Sequence, residues 1–428
     1  MAQSPLPRLI PPRIPTLVIE GLDELWTVAG PAPRTGRRQT ELTPIIDGAV
    51  ACAGADIIAA GATADVRRSV TWAPDTKVID GRGRSMVPGF VDAHTHVVFA
   101  GDRRRELRRR LGGATYAEIA AEGGGILSTV RATRAASEND LVAATRGRLG
   151  EMLAAGTTTA EAKSGYGLDT ETELRILRAT EVLSRTQPIE LVSTFMGAHE
   201  VPPEFRGRQS EFVAMIVEEM LPQAAPLAEW CDVFCDRGFF TPAESTAILE
   251  AGRRAGLKPR IHADELAPSG GSQVAAAVRA RSADHLVHAD AAAIAALAGA
   301  GVIATLLPCA AFYLKLGRYA PARDLIAANV PVALATDVNP GGGLSPSMPF
   351  AIALACFAMG MTFEEALTAA TINAAASLDR DGRVGSLEPG KQFDAVIIDG
   401  PATNLVRANT SAIVTVFKKG EGVAGAPA

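Results

Sequence analysis

Apolar positions along this chain fall into two regimes. Over residues 1 to about 85 they form short runs broken by Pro and Gly, among them Thr16–Ile19, Ala49–Ala51, Asp56–Ala60 and Lys77–Asp80. Strand and turn signals at that spacing predict a small β-sandwich. Two similar runs, Ala395–Ile398 and Ala412–Phe417, close the chain. The simplest arrangement is one composite β-sandwich domain built from both termini, 1–85 plus 385–428. Between them, over 86–384, the pattern alternates. Strand candidates at 87–92, 157–161, 189–196, 230–235, 259–262, 284–287, 302–306 and 331–336 are separated by helical periodicity, as in Glu171–Leu183, Pro242–Ala255 and Ala291–Ala298. Strands and helices in that order predict an α/β fold, a TIM-like (β/α)8 barrel with its active site at the C-terminal ends of the strands.

Charge and cysteine usage narrow the classes. A net charge of -5 argues against nucleic acid and anionic membranes as partners. Six arginines crowd 101–112, but no aromatics interleave, so most of them read as a solvated helix face. Arg103 differs, because it comes first after the strand-1 loop and is placed to face the barrel mouth. The five cysteines are an odd, sparse set, which points to a reducing, cytoplasmic setting rather than a disulfide scaffold. Cys231 and Cys235, four apart on one strand, read as core packing. Met1–Pro5 does not read as a signal peptide, and no apolar run is long enough for a membrane span. A homodimer is the default expectation for a chain of this kind.

Ionisable residues recur where strand ends are expected. The apolar run Met86–Ala93 ends in His94-Thr95-His96, and residues two apart on a strand share a face. Strand 2 runs into Lys163-Ser164-Gly165-Tyr166-Gly167, and strand 3 ends in Gly197-Ala198-His199-Glu200. Strand 4 ends at Asp236, strand 5 gives His262-Ala263-Asp264-Glu265, strand 6 carries Asp284 to His288, and strand 8 ends in Thr336-Asp337. All 6 histidines lie near these ends. The expected ligand set is His94, His96, His262 and Asp337, a mixed N/O group suited to one divalent or trivalent ion per subunit, zinc or iron. His285 is expected within reach. His288 receives no role. Glu265, His285 and Asp337 are the candidates for proton transfer, unranked. The loop Asn339–Gly343 offers backbone N–H groups to an anion.

His94-Thr95-His96, His262, His285 and Asp337 on successive strands resemble the amidohydrolase superfamily, which implies metal-dependent hydrolysis and a split β-sandwich around the barrel. Binuclear members carry a metal-bridging lysine at the end of strand 4; Asp236 stands there, which implies a single ion. The wider motif set, with Lys163–Leu168, Gly197–His199, His262–Glu265 and Ala335–Gly341, is similar to the branch that opens an imidazolone ring bearing a propionate tail in histidine degradation. That resemblance implies metal ligation by His94, His96, His262 and Asp337. It implies small-molecule substrate contacts from Arg103, Tyr166, His199, Glu265, Asn339, Gly341 and Gly342. Gly342 replaces a usual hydroxyl residue, leaving only a backbone contact there. Glu200 replaces a small apolar residue and is expected at the pocket rim. The alternative reading is another mononuclear amidohydrolase, a cyclic-amide hydrolase or heterocycle deaminase.

Overall fold

A computed structural model describes residues 14–114, 118–119, 123–407 and 411–425. Met1–Pro5 lies outside the described residues. Two sheets form the β-sandwich. One has the order Asp56–Ala62, Gly48–Ala53, Leu17–Leu22, Lys77–Asp80. The other has the order Glu421–Gly425, Ile413–Lys418, Ala395–Asp399, Arg84–Pro88, Glu24–Leu25, and so draws strands from both ends of the chain. Alternate residues of each sheet point inward, and Ile19, Val50, Ile79, Met86, Ile397 and Phe417 meet in one buried cluster.

The apolar run expected as one strand over 87–92 is two strands in two sheets. Arg84–Pro88 pairs with Ala395–Asp399 in the sandwich. After Gly89, Phe90–Asp92 pairs in parallel with Thr157–Lys163 and is the first barrel strand. Pro88 lacks an N–H, so the ladder cannot continue evenly through it. The remaining barrel strands are Thr157–Lys163, Glu190–Ala198, Trp230–Cys235, Ile261–Ala263, Ser282–His285, Ile303–Leu306 and Val332–Leu334, hydrogen-bonded in sequence order. The fifth expected strand is split, with Lys258–Pro259 a separate short piece beside the fourth. The sixth starts two residues earlier than the pattern placed it.

Closure of the barrel falls just beyond its first and last strands. Asp337 N donates to His94 O, and His96 N donates to Val338 O, each at 3.0 Å. Below them the buried Asp92 carboxylate accepts from Thr336 N at 2.9 Å and from Thr336 Oγ1 at 2.5 Å. Cys231 and Cys235 are buried in the core, as expected. Among the described residues no helix is long and apolar enough to cross a membrane.

Candidate metal centre and active site

The strand ends converge. His94 Nε2 lies 3.6 Å and His96 Nε2 3.7 Å from Asp337 Oδ1, and His96 Nε2 lies 3.2 Å from His262 Nε2. At metal–nitrogen distances of ~2.0–2.1 Å, two ligands of a tetrahedral site sit roughly 3.3 Å apart. His94 Nε2 and Asp337 Oδ1 are buried and have no hydrogen-bond partner among the described residues. Burial holds the His94, His96 and His285 imidazoles well below their usual pKa, so they are neutral, the form that ligates metals. Burial likewise raises Asp337 to about 7.

Two carboxylates orient His94 and His262 from behind. Asp284 Oδ2 accepts from His94 Nδ1 at 2.6 Å, which leaves the His94 Nε2 lone pair facing the centre. Asp232 Oδ2 lies 3.0 Å from His262 Nδ1. Both carboxylates belong to a fully buried ion network. Lys163 Nζ sits 2.5 Å from Asp232, 2.8 Å from Glu161 and 3.9 Å from Asp284. Arg260 reaches Glu161 at 3.1 Å and Asp284 at 3.3 Å. Although burial opposes its ionisation, His262 and Lys163 hold Asp232 well below the usual carboxylate range. With Asp337 included, two fixed cations face four carboxylates, an excess of two negative charges that one divalent cation neutralises. The residues present therefore fit a single metal ion.

The pattern did not reveal this network, because Glu161 and Asp232 lie within strands and Arg260 in the break between Lys258–Pro259 and Ile261–Ala263, each far from its partners in sequence. The signal left by Glu161 and Asp232 is a buried acidic residue two or three places before a strand end. Backbone geometry also departs from the regular pleat. Asp264, His285, Leu286 and Asp337 have φ of 53°, 75°, 59° and 55°. Each left-handed non-glycine residue costs roughly 1–2 kcal/mol. The turn at His285 lets both Asp284 and His285, adjacent in sequence, serve the centre. The His285 ring is 5.2 Å from that of His94, and its Nδ1 is 3.5 Å from Glu265 Oε1.

A cavity of about 410 Å³ opens over this floor, lined by His96, Arg103, Tyr166, His199, His262, Glu265, His285, Asp337, Asn339 and Gly342. Arg103 is buried and pinned through Nε by Glu106 at 2.7 Å. Of the six clustered arginines, Arg104, Arg105, Arg108 and Arg109 are exposed, but Arg110 is buried and also lines the cavity. Its i+7 spacing from Arg103 is the signal that the two share a helix face. Asp236 does not reach the centre; its Oδ2 accepts from the Glu265 and Leu266 backbones at 2.8 and 2.7 Å and so fixes the loop carrying Glu265.

Three expectations need correction. The Asn339–Gly343 loop is not an open anion nest, since Asn339 Oδ1 already accepts from Gly341 N at 2.8 Å and Gly342 N at 2.6 Å. Gly341 lies behind the cavity wall and gives room to Arg103, whose Nη1 would stand 2.1 Å from any Cβ there. Glu200 is not among the residues that line the cavity; its Oε1 accepts from the neighbouring Val201 N at 3.0 Å. His288 lies past the strand end, beside Arg318 at 3.3 Å.

Comparison with known proteins follows the same lines. The amidohydrolase family pattern matches residues 240–423. The imidazolonepropionase of Symbiobacterium thermophilum is 51% identical over 388 residues, covering 90% of this chain and 91% of that protein. The chain belongs to the imidazolonepropionase family. The imidazolonepropionase of Shouchella clausii is 47% identical, covering 95% of this chain and 92% of that protein. Among solved structures, a zinc-bound adenosine deaminase from Xanthomonas campestris gives a TM-score of 0.69 at 18% identity, over 96% of this chain and 93% of that one. A triazine hydrolase variant gives 0.68 at 19% identity, over 96% and 94%. These likenesses show the amidohydrolase fold, and the imidazolonepropionase relationship rests on the sequence matches.

Proposed function

We propose that this chain hydrolyses the cyclic amide of 4-imidazolone-5-propanoate to N-formimino-L-glutamate, a step of histidine degradation, with one metal ion, zinc or iron, held by His94, His96, His262 and Asp337. The observation that carries the reading is the convergence of His94 Nε2, His96 Nε2 and Asp337 Oδ1 beneath a cavity that also presents Arg103. The cation supplies Lewis acidity and makes water available for attack near neutral pH. The chain's residues do the rest. Arg103 offers a planar fork to the propionate carboxylate, with Tyr166 beside it. Asn339 and Gly341 shape the wall behind Arg103, and Gly342 borders the pocket through its backbone.

His199 donates from Nδ1 to Gly165 O at 2.9 Å, and burial lowers its pKa to about 3. A neutral ring with its proton on Nδ1 presents Nε2 as an acceptor, so His199 takes a ring N–H of the substrate and does not donate to an oxyanion. Asp337 takes the proton from the attacking water. Glu265 and His285, at 3.5 Å from each other, carry a proton towards the departing ring nitrogen.

The same reading places the protein in the cytoplasm, in keeping with five free cysteines. It also makes the protein a homodimer. The helix Met348–Met359 carries no charged residue and leaves Phe357 at 80% exposure, with Leu354 half-buried one turn before it, as a self-association face would.

The decisive experiment follows the loss of imidazolonepropionate absorbance with the metal-loaded protein, beside a panel of other cyclic amides and aminated heterocycles. Turnover of the imidazolone is expected. Turnover of another ring without it would overturn the proposal.

A further inference from the structure

We infer that Glu173, which lies outside the cavity, is a positioning residue that sets both Tyr166 and His199 by holding the loop between them. This rests on the proposed substrate contacts of those two residues.

Glu173 stands in the first turn of the helix Thr170–Thr186 and is fully buried. Its Oε2 accepts from Gly165 N at 2.8 Å, and its Oε1 accepts from Gly167 N at 2.7 Å and Leu168 N at 2.8 Å. Three N–H groups flanking Tyr166 thus converge on one carboxylate. Gly165 passes the constraint on, since its N–H is held by Glu173 and its carbonyl receives His199 Nδ1–H. Its φ is +107°, and a Cβ there would come within 2.9 Å of His199 Nδ1. The loop is gripped from the other side as well. Arg134 donates through Nε to Gly167 O at 2.7 Å and through Nη2 to Leu168 O at 3.1 Å. An anion therefore gathers the amide hydrogens while a cation gathers the carbonyls. Neither side chain lines the cavity. A buried carboxylate is costly unless its acceptors are used, and here they are used to fix one loop shape.

Glu173→Gln keeps the size but turns an NH2 group towards a backbone N–H. Arg134→Met, at a less buried position, loosens the same loop with less risk to folding. The readouts are metal content, KM and kcat for imidazolonepropionate, and the His199 Nδ1–H resonance in 1H–15N spectra. The expected result is unchanged metal content, a KM raised about tenfold or more, and a weakened or exchange-broadened His199 resonance in both variants. KM within about twofold of the parent in Arg134→Met, with metal retained, overturns the inference whether or not Glu173→Gln folds. Tyr166→Phe and His199→Gln separate the two layers. If they leave KM unchanged, the substrate contacts themselves are wrong; if they raise it while the Glu173 and Arg134 variants do not, only the loop inference fails.

Discussion

Replacing Asp284 with Asn tests how far the metal site depends on what lies behind it. Asp284 Oδ2 accepts from His94 Nδ1 at 2.6 Å and is itself held by Arg260 at 3.3 Å. Asn keeps an acceptor oxygen in place, so the side chain still fits. What it loses is the charge. A hydrogen bond to an ionised acceptor is roughly twice as strong as a neutral one, a difference of about 1 kcal/mol. The imidazole also becomes a poorer donor to the cation, and one of the two uncompensated negative charges disappears. Together these are worth about 1.4–2.8 kcal/mol, or roughly 10- to 100-fold in metal affinity. Competition against a chelator of known affinity measures this directly. At saturating metal kcat is expected to recover most of its parental value, because Asp284 does not line the cavity. A metal Kd within about twofold of the parent, in a folded variant, would refute the idea that this carboxylate tunes the site.

Other substitutions probe other layers. Asp337→Asn is expected to abolish turnover, since it removes both a ligand and the proposed proton acceptor; near-parental kcat would contradict that. Arg103→Ala is expected to raise KM with a smaller change in kcat, and Arg103→Lys to rescue poorly, because an ammonium lacks the planar fork; steady-state kinetics decides. Glu200 is raised to about 7 by burial, from an ordinary value of 4.5. For an acid raised in the folded state, the penalty is fully present above the folded pKa and absent below the unfolded one. Glu200→Gln is therefore expected to raise the melting temperature at pH 8.5 by an amount reflecting about 2–3 kcal/mol, and to leave it unchanged near pH 4.5. Equal melting shifts at both pH values would show that the carboxyl is well solvated.

Much of this was legible along the chain because metal ligands must be polar where barrel strands are apolar. His94, His96, His262 and Asp337 stand out against Val, Ile and Ala, and strand order puts them at one end. The resemblance added the proposed roles of Arg103, Tyr166 and His199. What stayed hidden depends on three-dimensional pairing. Nothing along the chain ties Lys163 to Arg260 until Glu161, Asp232 and Asp284 are seen around them. Strand periodicity puts Asp284 and His285 on opposite faces, and only the positive φ at His285 brings both to the centre. The split at Gly89 was invisible because both halves are equally apolar. The Asn339 loop looked open because its glycines are visible in the sequence, whereas the inward fold of the Asn339 side chain is not.

The seam where His94 meets Asp337 has a consequence for how the barrel holds together. The first and last staves are joined there by only a few backbone bonds, yet the same two stretches supply three of the four proposed ligands. Metal loading thus acts as a hoop fastener between segments about 240 residues apart, whose joining is otherwise opposed by chain entropy. Amide hydrogens at 96 and 337 ought to exchange slowly in the loaded protein and quickly after chelation, while those of the sandwich stay as they were.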